Sequence, residues 1–511
     1  MQSGTCTKAI FNGRKGSGCC LANFCHPLIP FIITFAAVKK KKQPIILQDI
    51  TVQDYAAEGK SLAKVDGKVI FIENTVPGDV VDIQLGKNKK DWAEAWPLRF
   101  KTYSQERVDP FCRHFGVCGG CQWQMLPYEK QLLYKQKQVS DNLSRIGKIA
   151  LPAMLPIVGA DETRHYRNKV EYTFSSKRFI PMEEFKQLKA AGLPVIQDGG
   201  FAGFHAKGMF DKIVEIDTCH LQHEPTNQIR KAIAAFCLEN NYPFYDAKTH
   251  EGWLRNMMVR IATTGEWMVN IMLGNDNRKM REALLDKVLE LFPQITSLLY
   301  TINPKFNDSI YDLTPVAYHG KGYIIEQLED FQFKISPKSF FQTNTKQAEK
   351  LYSITRDFAE LDGTQNVYDL YCGTGSIGIF VSKQAKKIVG VEAIAEAIAD
   401  AKENAALNNI NHASFFAGDV IDVCNDGFFA AHEKPDVVIT DPPRAGMHEK
   451  LVKKLIEIAA PTVVYVSCNP ATQARDLALL DEKYTVEKIQ PVDMFPHTHH
   501  IENVVQLKLK K

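Results

Sequence analysis

The sequence predicts a multidomain chain that ends in a doubly wound α/β domain. Its 511 residues exceed what one hydrophobic core organises, so several domains are expected. From about residue 336, short apolar runs at 367–370, 388–391, 413–416, 437–440 and 463–467 alternate with helical patterns. That alternation is the mark of parallel strands with helices on both faces. Upstream, residues 43–103 read as a small β-barrel and residues 104–335 as a mixed α+β domain.

Residues 1–42 hold seven Lys and Arg and no acid. The run "LIPFIITFAAV" within them is too short to span a bilayer. They read as a disordered or mis-started extension; a signal segment is the lesser alternative. In residues 43–103, strand-like runs at 69–72 and 80–85 flank Pro77-Gly78-Asp79, a turn signal. Short strands with such turns suit a barrel of the oligonucleotide-binding type. "KNKKDW" at 87–92 places cations beside an aromatic, a weak sign of RNA contact. Within 104–335, "YEKQLLYKQKQVSDNLSRI" at 128–146 reads as a basic amphipathic helix. "YRNKVEYTF" reads as a strand, and residues 257–273 as a hairpin around Thr263-Thr264-Gly265.

The formal net charge is +3, but residues 43–511 carry 55 basic and 59 acidic side chains. Bulk charge therefore gives no argument for nucleic acid, and any RNA affinity must come from local patches. Twelve cysteines occur, three of them clustered at Cys112, Cys118 and Cys121. In so long a chain this pattern points to metal binding or catalysis in a reducing compartment, not to a disulfide framework.

Four motifs carry chemistry. In "VYDLYCGTGSIGIF", a strand runs into Gly373 and Gly375, and a helix follows. Glycines admit a ligand close to the backbone, and the helix start offers free N–H groups. Gly373, Gly375 and Gly378 satisfy G-x-G-x-x-G, and Glu392 lies about 20 residues on, as a ribose-hydroxyl acceptor does. A dinucleotide and S-adenosylmethionine both fit this pattern. In "VVITDPPRAGMH", two prolines fix the edge that presents Asp441. Nucleobase methyltransferases often carry such an acid-Pro-Pro edge, and nicotinamide enzymes have no need of it. In "MFPHTHHIENVV", His497, His499 and His500 lack recognisable partner ligands, so they read as structural or RNA-contacting. Glu502 is a carboxylate available as a base. The fourth motif, "CRHFGVCGGCQWQ" with "DTCHL", offers Cys112, Cys118, Cys121 and a possible fourth ligand in Cys219. Four thiolates suit an iron–sulfur cluster or zinc. Finally, "VVYVSCNPATQARDL" ends a buried strand on Cys468, which alone reads more readily as an inert core thiol than as a nucleophile.

Together these motifs, in this order, resemble the RumA/TrmA-type uracil-5-methyltransferases, which make 5-methyluridine in 23S rRNA or tRNA. The resemblance covers roughly residues 45–511. It implies a Rossmann-like, S-adenosylmethionine-dependent methyltransferase domain at 336–511, an RNA-binding TRAM domain at 43–103, and a 4Fe–4S site in the central domain at 104–335. By resemblance Cys468 is the nucleophile and Glu502 the base. Gln342 in "SFFQTNT", Tyr371, Glu392, Asp419 and Asp441 take the cofactor positions. Ser376 departs from the asparagine common in the family. The cysteine cluster resembles the rRNA-directed branch, so 23S rRNA is the favoured partner and the tRNA T-loop the alternative.

The chemistry agrees with the resemblance. Carbon 5 of uracil is too weak a nucleophile to attack a sulfonium methyl. A thiolate added at carbon 6 converts the ring to an enolate, and a thiol both attacks and leaves readily. The target uridine must be flipped out or single-stranded. Arg444 is a further contact for the uracil carbonyls or a phosphate. A cytoplasmic monomer with no membrane attachment is expected. A non-catalytic RNA-binding assembly protein and a nicotinamide oxidoreductase are the competing classes; the Cys468–Glu502 pair argues against the first, and "DPPRAG" with "SCNP" against the second.

Overall fold

The computed structural model describes residues 43–511, and the extension read at 1–42 lies outside the described residues. Three large sheets and one two-stranded sheet carry the described residues. The first has six strands: Ile46–Thr51, Asp54–Tyr55, Ser61–Val65, Lys68–Ile72, Val80–Asn88 and Trp92–Thr102. Ile46–Thr51 and Asp54–Tyr55 form its two edges. Alternation along these strands gathers Ala63, Ile70, Ile72, Val81, Ile83 and Ala95 into one small core. The turn expected at Pro77-Gly78-Asp79 is present. Gly78 takes a φ of 92°, and buried Asp79 accepts the Val76 N–H at 2.7 Å and the Ser104 N–H at 2.8 Å.

The second sheet has seven strands between Lys169 and Gly320. Leu254–Ile261 and Trp267–Leu273 pair antiparallel, which is the hairpin expected there. Helices Pro225–Glu239 and Arg278–Leu291 cover one face through Ile229, Ile233, Leu284, Leu285 and Val288.

The third sheet contains the doubly wound pattern. All five runs anticipated from sequence are strands: Asn366–Leu370, Lys387–Glu392, Ala413–Ala417, Val437–Thr440 and Thr462–Ser467. They are mutually parallel. Burial on both faces explains their unbroken apolar sequence. Two antiparallel strands that the sequence reading did not anticipate, Glu502–Leu509 and Tyr484–Val492, extend the sheet beyond Thr462–Ser467. Strand order reverses at Asn366–Leu370, which lies between Lys387–Glu392 and Val437–Thr440. A crevice at the carboxyl ends is therefore expected beside it. The hairpin Ile324–Leu328 and Phe331–Ile335 joins residues of the second and third sheets in one continuous core. No helix among the described residues is long and apolar enough to cross a membrane.

Candidate active site

Thr462–Ser467 is buried throughout and delivers Cys468 at its carboxyl end, where the thiol is half-buried. The next two residues stop the strand and start a helix. Asn469 caps Pro470–Leu480 by accepting the Ala471 N–H at 3.1 Å, and Pro470 occupies the first helical turn, where no N–H is needed. The same cap fastens the Asp441 loop, because the Asn469 side-chain amide donates to the Arg444 carbonyl at 3.0 Å. Arg475 donates to the carbonyls of Ala445 at 3.0 Å and Met447 at 3.1 Å. Buried Asp476 accepts the Met447 N–H at 2.8 Å and the Tyr465 hydroxyl at 2.7 Å. The edge bearing Asp441 and the edge bearing Cys468 are thus one braced unit.

Glu502 arrives from the neighbouring strand. Ser467 stands opposite Asn503 in the antiparallel ladder, so the next step brings Glu502 level with Cys468. Gln473 locks that register by donating to the Tyr465 carbonyl at 3.0 Å and the Asn503 carbonyl at 3.2 Å. The Asn503 amide returns a bond to Gln473 at 2.7 Å.

The segment leading to Glu502 is held by the helix Tyr128–Asn142. Lys135 is fully buried and donates to Asp493 Oδ1 at 2.6 Å and to the Phe495 carbonyl at 3.1 Å. The Tyr128 hydroxyl donates to Asp493 Oδ2 at 2.8 Å. Gln131 accepts the His497 N–H at 2.8 Å, and its side-chain amide lies 3.1 Å from His497 Nδ1. His497 is accordingly structural, and its φ of 66° marks a sharp bend. His500 Nδ1 lies 3.3 Å from Arg444 Nη2. The sequence reading missed Lys135, Gln131 and Asp493. A helix read as basic and amphipathic in fact buries Gln131, Lys135 and Val139, a stripe at i, i+4, i+8.

The electrostatics follow from this enclosure. Burial pushes the Cys468 thiol up to about 11; the Glu502 and Asp441 carboxylates push the same way, and the Arg444 guanidinium opposes them. Glu502 is raised well above the usual carboxylate range by burial and then by Asp441. Asp441 is raised to about 7 by burial. The thiol, the two carboxyls and the guanidinium therefore lie near enough to feel one another's charge. Such a set can add sulfur to an electron-poor carbon and then take a proton from the neighbouring carbon.

The cofactor positions gather at four adjacent strand ends. Tyr371 follows Asn366–Leu370 with a φ of 61°, and Glu392 ends Lys387–Glu392. Asp419 follows Ala413–Ala417 and caps Val420–Val423 through the Ile421 N–H at 2.9 Å. Asp441 follows Val437–Thr440. Glu392 accepts the Gly373 N–H at 3.3 Å and the Ile394 N–H at 3.0 Å, so it is aimed across the glycine turn. Gly373 and Gly375 take φ of 53° and 76°. Gly378, the third glycine of the motif, donates its N–H to buried Asp369 at 2.8 Å. Gln342 is buried in the loop before Thr345–Ala359. That loop is tied to the Glu502 segment, because the Asn344 side chain donates to the Met494 carbonyl at 2.9 Å. Ser376 meets the Tyr352 hydroxyl at 3.0 Å.

The remaining four candidates converge elsewhere. Cys112, Cys118, Cys121 and Cys219 line one cavity of about 530 Å³, with Gly119, Gly120, Arg167 and Thr343 also in its wall. All four are free thiols. Burial raises Cys118 to about 11, Cys121 to about 12, and Cys219 above its ordinary value. Among the described residues, no three His, Cys, Asp or Glu side chains stand close enough to share a single metal ion.

Residues 319–510 match the family model described as tRNA (Uracil-5-)-methyltransferase. An uncharacterized RNA methyltransferase of Bacteroides thetaiotaomicron is 50% identical over 459 residues, covering 89% of this chain and all of that protein. The chain belongs to the RNA uracil-5-methyltransferase family. A second uncharacterized RNA methyltransferase, from Porphyromonas gingivalis, is 48% identical over 460 residues, covering 89% of this chain and 98% of that one. The solved structure of the Pyrococcus abyssi tRNA (uracil-54, C5)-methyltransferase with S-adenosyl-L-homocysteine superimposes with a TM-score of 0.69. It is 28% identical and covers 90% of this chain and all of that one.

This uracil-5-methyltransferase is S-adenosylmethionine-dependent, and its residues fit that donor. A Cβ added at Gly373 meets no atom within 4 Å, so the turn has open space above it. Carboxylates at the flanking strand ends supply acceptors for hydroxyls and a counter-charge for a sulfonium. Four thiols on one cavity wall are the donor type that an iron–sulfur cluster or a zinc ion takes.

Proposed function

We propose that the methyltransferase modifies carbon 5 of a uridine in 23S rRNA through a covalent bond between Cys468 Sγ and uracil carbon 6. The observation that carries this reading is the ladder placing Glu502 beside Cys468, with Asp441 on the braced edge next to them. Cys468 loses its proton and adds to carbon 6 of a flipped-out uracil, which makes carbon 5 nucleophilic. Bound S-adenosylmethionine supplies the electrophilic methyl group. Glu502 then takes the carbon 5 proton, the electron pair re-forms the ring double bond, and the Cys468 sulfur leaves. Asp441, held to the same edge as Arg444, orients the base or the donor, and Arg444 faces the uracil carbonyls or a phosphate. Gln342, Tyr371, Glu392 and Asp419 hold the donor.

Cys112, Cys118, Cys121 and Cys219 would hold a 4Fe–4S cluster, with a structural role. The first sheet serves as the TRAM-like RNA-binding module; Lys87 lies 5.1 Å over the Trp92 ring, a pairing suited to a base or phosphate. Eight free thiols among the described residues suit a reducing cytoplasm. A tRNA substrate is the second reading, favoured by the likeness to the Pyrococcus abyssi enzyme, whose named target is tRNA uracil 54. The test is a methylation assay with unmodified 23S rRNA and, separately, tRNA transcripts, followed by nuclease mapping of 5-methyluridine. Product in rRNA alone supports the first reading. Product in tRNA alone keeps the mechanism and replaces the substrate. No product in either, from enzyme with its thiol site loaded, overturns both.

A further inference from the structure

A second cavity, of about 710 Å³, lies on the far side of Gly119 and His205 from the four thiols. None of Cys468, Glu502, Gln342 or the cofactor residues lines it. One wall is aromatic. The Phe306 ring stacks on His250 with centroids 4.1 Å apart and planes 20° from parallel, while Phe306 remains 75% exposed. One of its faces is therefore covered and the other is free. Phe210, 71% exposed, stands on the 205–210 turn that forms another part of the wall. Solvent-facing phenylalanines around one cavity are costly unless a flat apolar partner covers them.

The polar lining matches that partner. Arg255 is buried in the lining, 4.0 Å over the Tyr245 ring, and its Nη atoms donate to the carbonyls of Asn303, Lys305 and Asn307, so only Nε lacks a partner. Asp308 is the lone carboxylate of the lining, and Arg255 already binds it at 2.9 Å. Lys207 adds a second cation and reaches Glu73 of the first sheet at 2.9 Å. Asn256 offers an amide edge and donates to Thr173 at 3.4 Å. Aromatic faces and a hydrogen-bonding amide are what a base needs: stacking for its ring and a donor for its edge. The cavity also adjoins the thiol cavity. Gly119 and His205 are shared with the thiol cavity, and the wall of the latter runs on to Thr343, next to Gln342.

We propose that this cavity is a second nucleotide site, which takes an unpaired base of the RNA away from the uridine that is methylated. The proposal rests on RNA being the substrate. It makes the central domain a reader of RNA, beyond holding the thiols. The stacked pair Phe306–His250 supplies the platform, Phe210 supplies a second aromatic wall, and the half-exposed Lys207 is the cation within reach of the backbone.

The test uses the full-length protein and a single-stranded RNA dodecamer carrying 4-thiouridine at random positions. Ultraviolet crosslinking with peptide mapping should mark Phe306, His250 or Phe210. The variant Phe210→Ala/Phe306→Ala should lose those crosslinks and weaken dodecamer binding about tenfold. Phe306→Tyr, which keeps the ring, should bind as the parent does. Both phenylalanines are exposed, so the folded state is preserved; an unchanged melting temperature checks it. Covalent trapping of 5-fluorouridine RNA at saturating concentration should be unaltered. Crosslinks confined to other segments, with affinity unchanged in the double variant, would overturn the second site. A parent protein that binds no RNA would overturn the RNA reading and the site with it.

Discussion

The molecule places cysteine in two settings, and the contrast lies in what surrounds the sulfur. Cys468 ends a central strand; Cys112, Cys118, Cys121 and Cys219 sit on loops around a cavity. Burial raises Cys468, Cys118, Cys121 and Cys219 alike, so thiol acidity alone does not tell the two settings apart. Their neighbours do. Cys468 feels two carboxyls and a guanidinium, the groups to which the proposed mechanism gives proton transfer and the holding of a polar ring. The four loop thiols line one cavity, and after burial the charges that raise Cys118 and Cys121 are the other thiols of the set. Backbone support differs too. Cys468 is fixed by a ladder, a capped helix and the Gln473–Asn503 lock, whereas the four loop thiols lie outside the named strands and helices, with Gly119 and Gly120 between Cys118 and Cys121.

Removing the base makes the sharpest break. Glu502→Gln should still form the sulfur bond and accept the methyl group but fail to lose the carbon 5 proton. Product release should fall by roughly 10²- to 10⁴-fold, and a protein–RNA adduct should accumulate on denaturing gels. Next in size is the brace beneath the reaction side. Lys135→Met leaves Asp493 buried without its cation and should cost about 3–5 kcal/mol in urea unfolding. Lys135→Met with Asp493→Asn should recover part of that loss, because no unpaired charge remains. A third variant pair tests the contrast directly. Cys219→Ser should lose iron and visible absorbance while Cys468→Ser keeps both; equal iron in the two variants would remove Cys219 from the cluster.

The smallest effect is electrostatic. The Cys468 proton leaves near pH 11, so alkylation of the free enzyme by iodoacetamide should rise about tenfold per pH unit between neutrality and that value. The Glu502 carboxylate raises the thiol, so Glu502→Gln lowers it and should alkylate several-fold faster at a fixed pH in this range. A slower rate would place the carboxylate on the other side of the balance.

Legibility in the sequence followed the physics of each part. The five parallel strands were readable because burial on both faces leaves unbroken apolar runs such as Val437–Thr440. Asn469-Pro470 was readable as a strand end because Asn and Pro are natural starters of the helix after Cys468. Tyr484–Val492 escaped notice: it carries Glu487, Lys488 and Pro491, and a register shift between Val486 and Lys488 spoils its alternation. The pairing of Cys468 with Glu502 was legible as chemistry but not as geometry, since the register depends on Gln473 and Asn503, which carry no motif. The Lys135–Asp493 pair was hidden for a related reason. A lysine on a helix reads as solvent-facing, and only the tertiary fold shows it meeting a carboxylate 358 residues away.

The most direct test is to trap the enzyme on 5-fluorouridine-substituted RNA with S-adenosylmethionine, digest the complex and locate the modified peptide. RNA attached at Cys468, in the peptide containing Asn469 and Pro470, is the predicted result. Attachment at Cys112, Cys118, Cys121, Cys219 or any other residue, or an adduct that persists in Cys468→Ala, would contradict the assignment of the two cysteine settings.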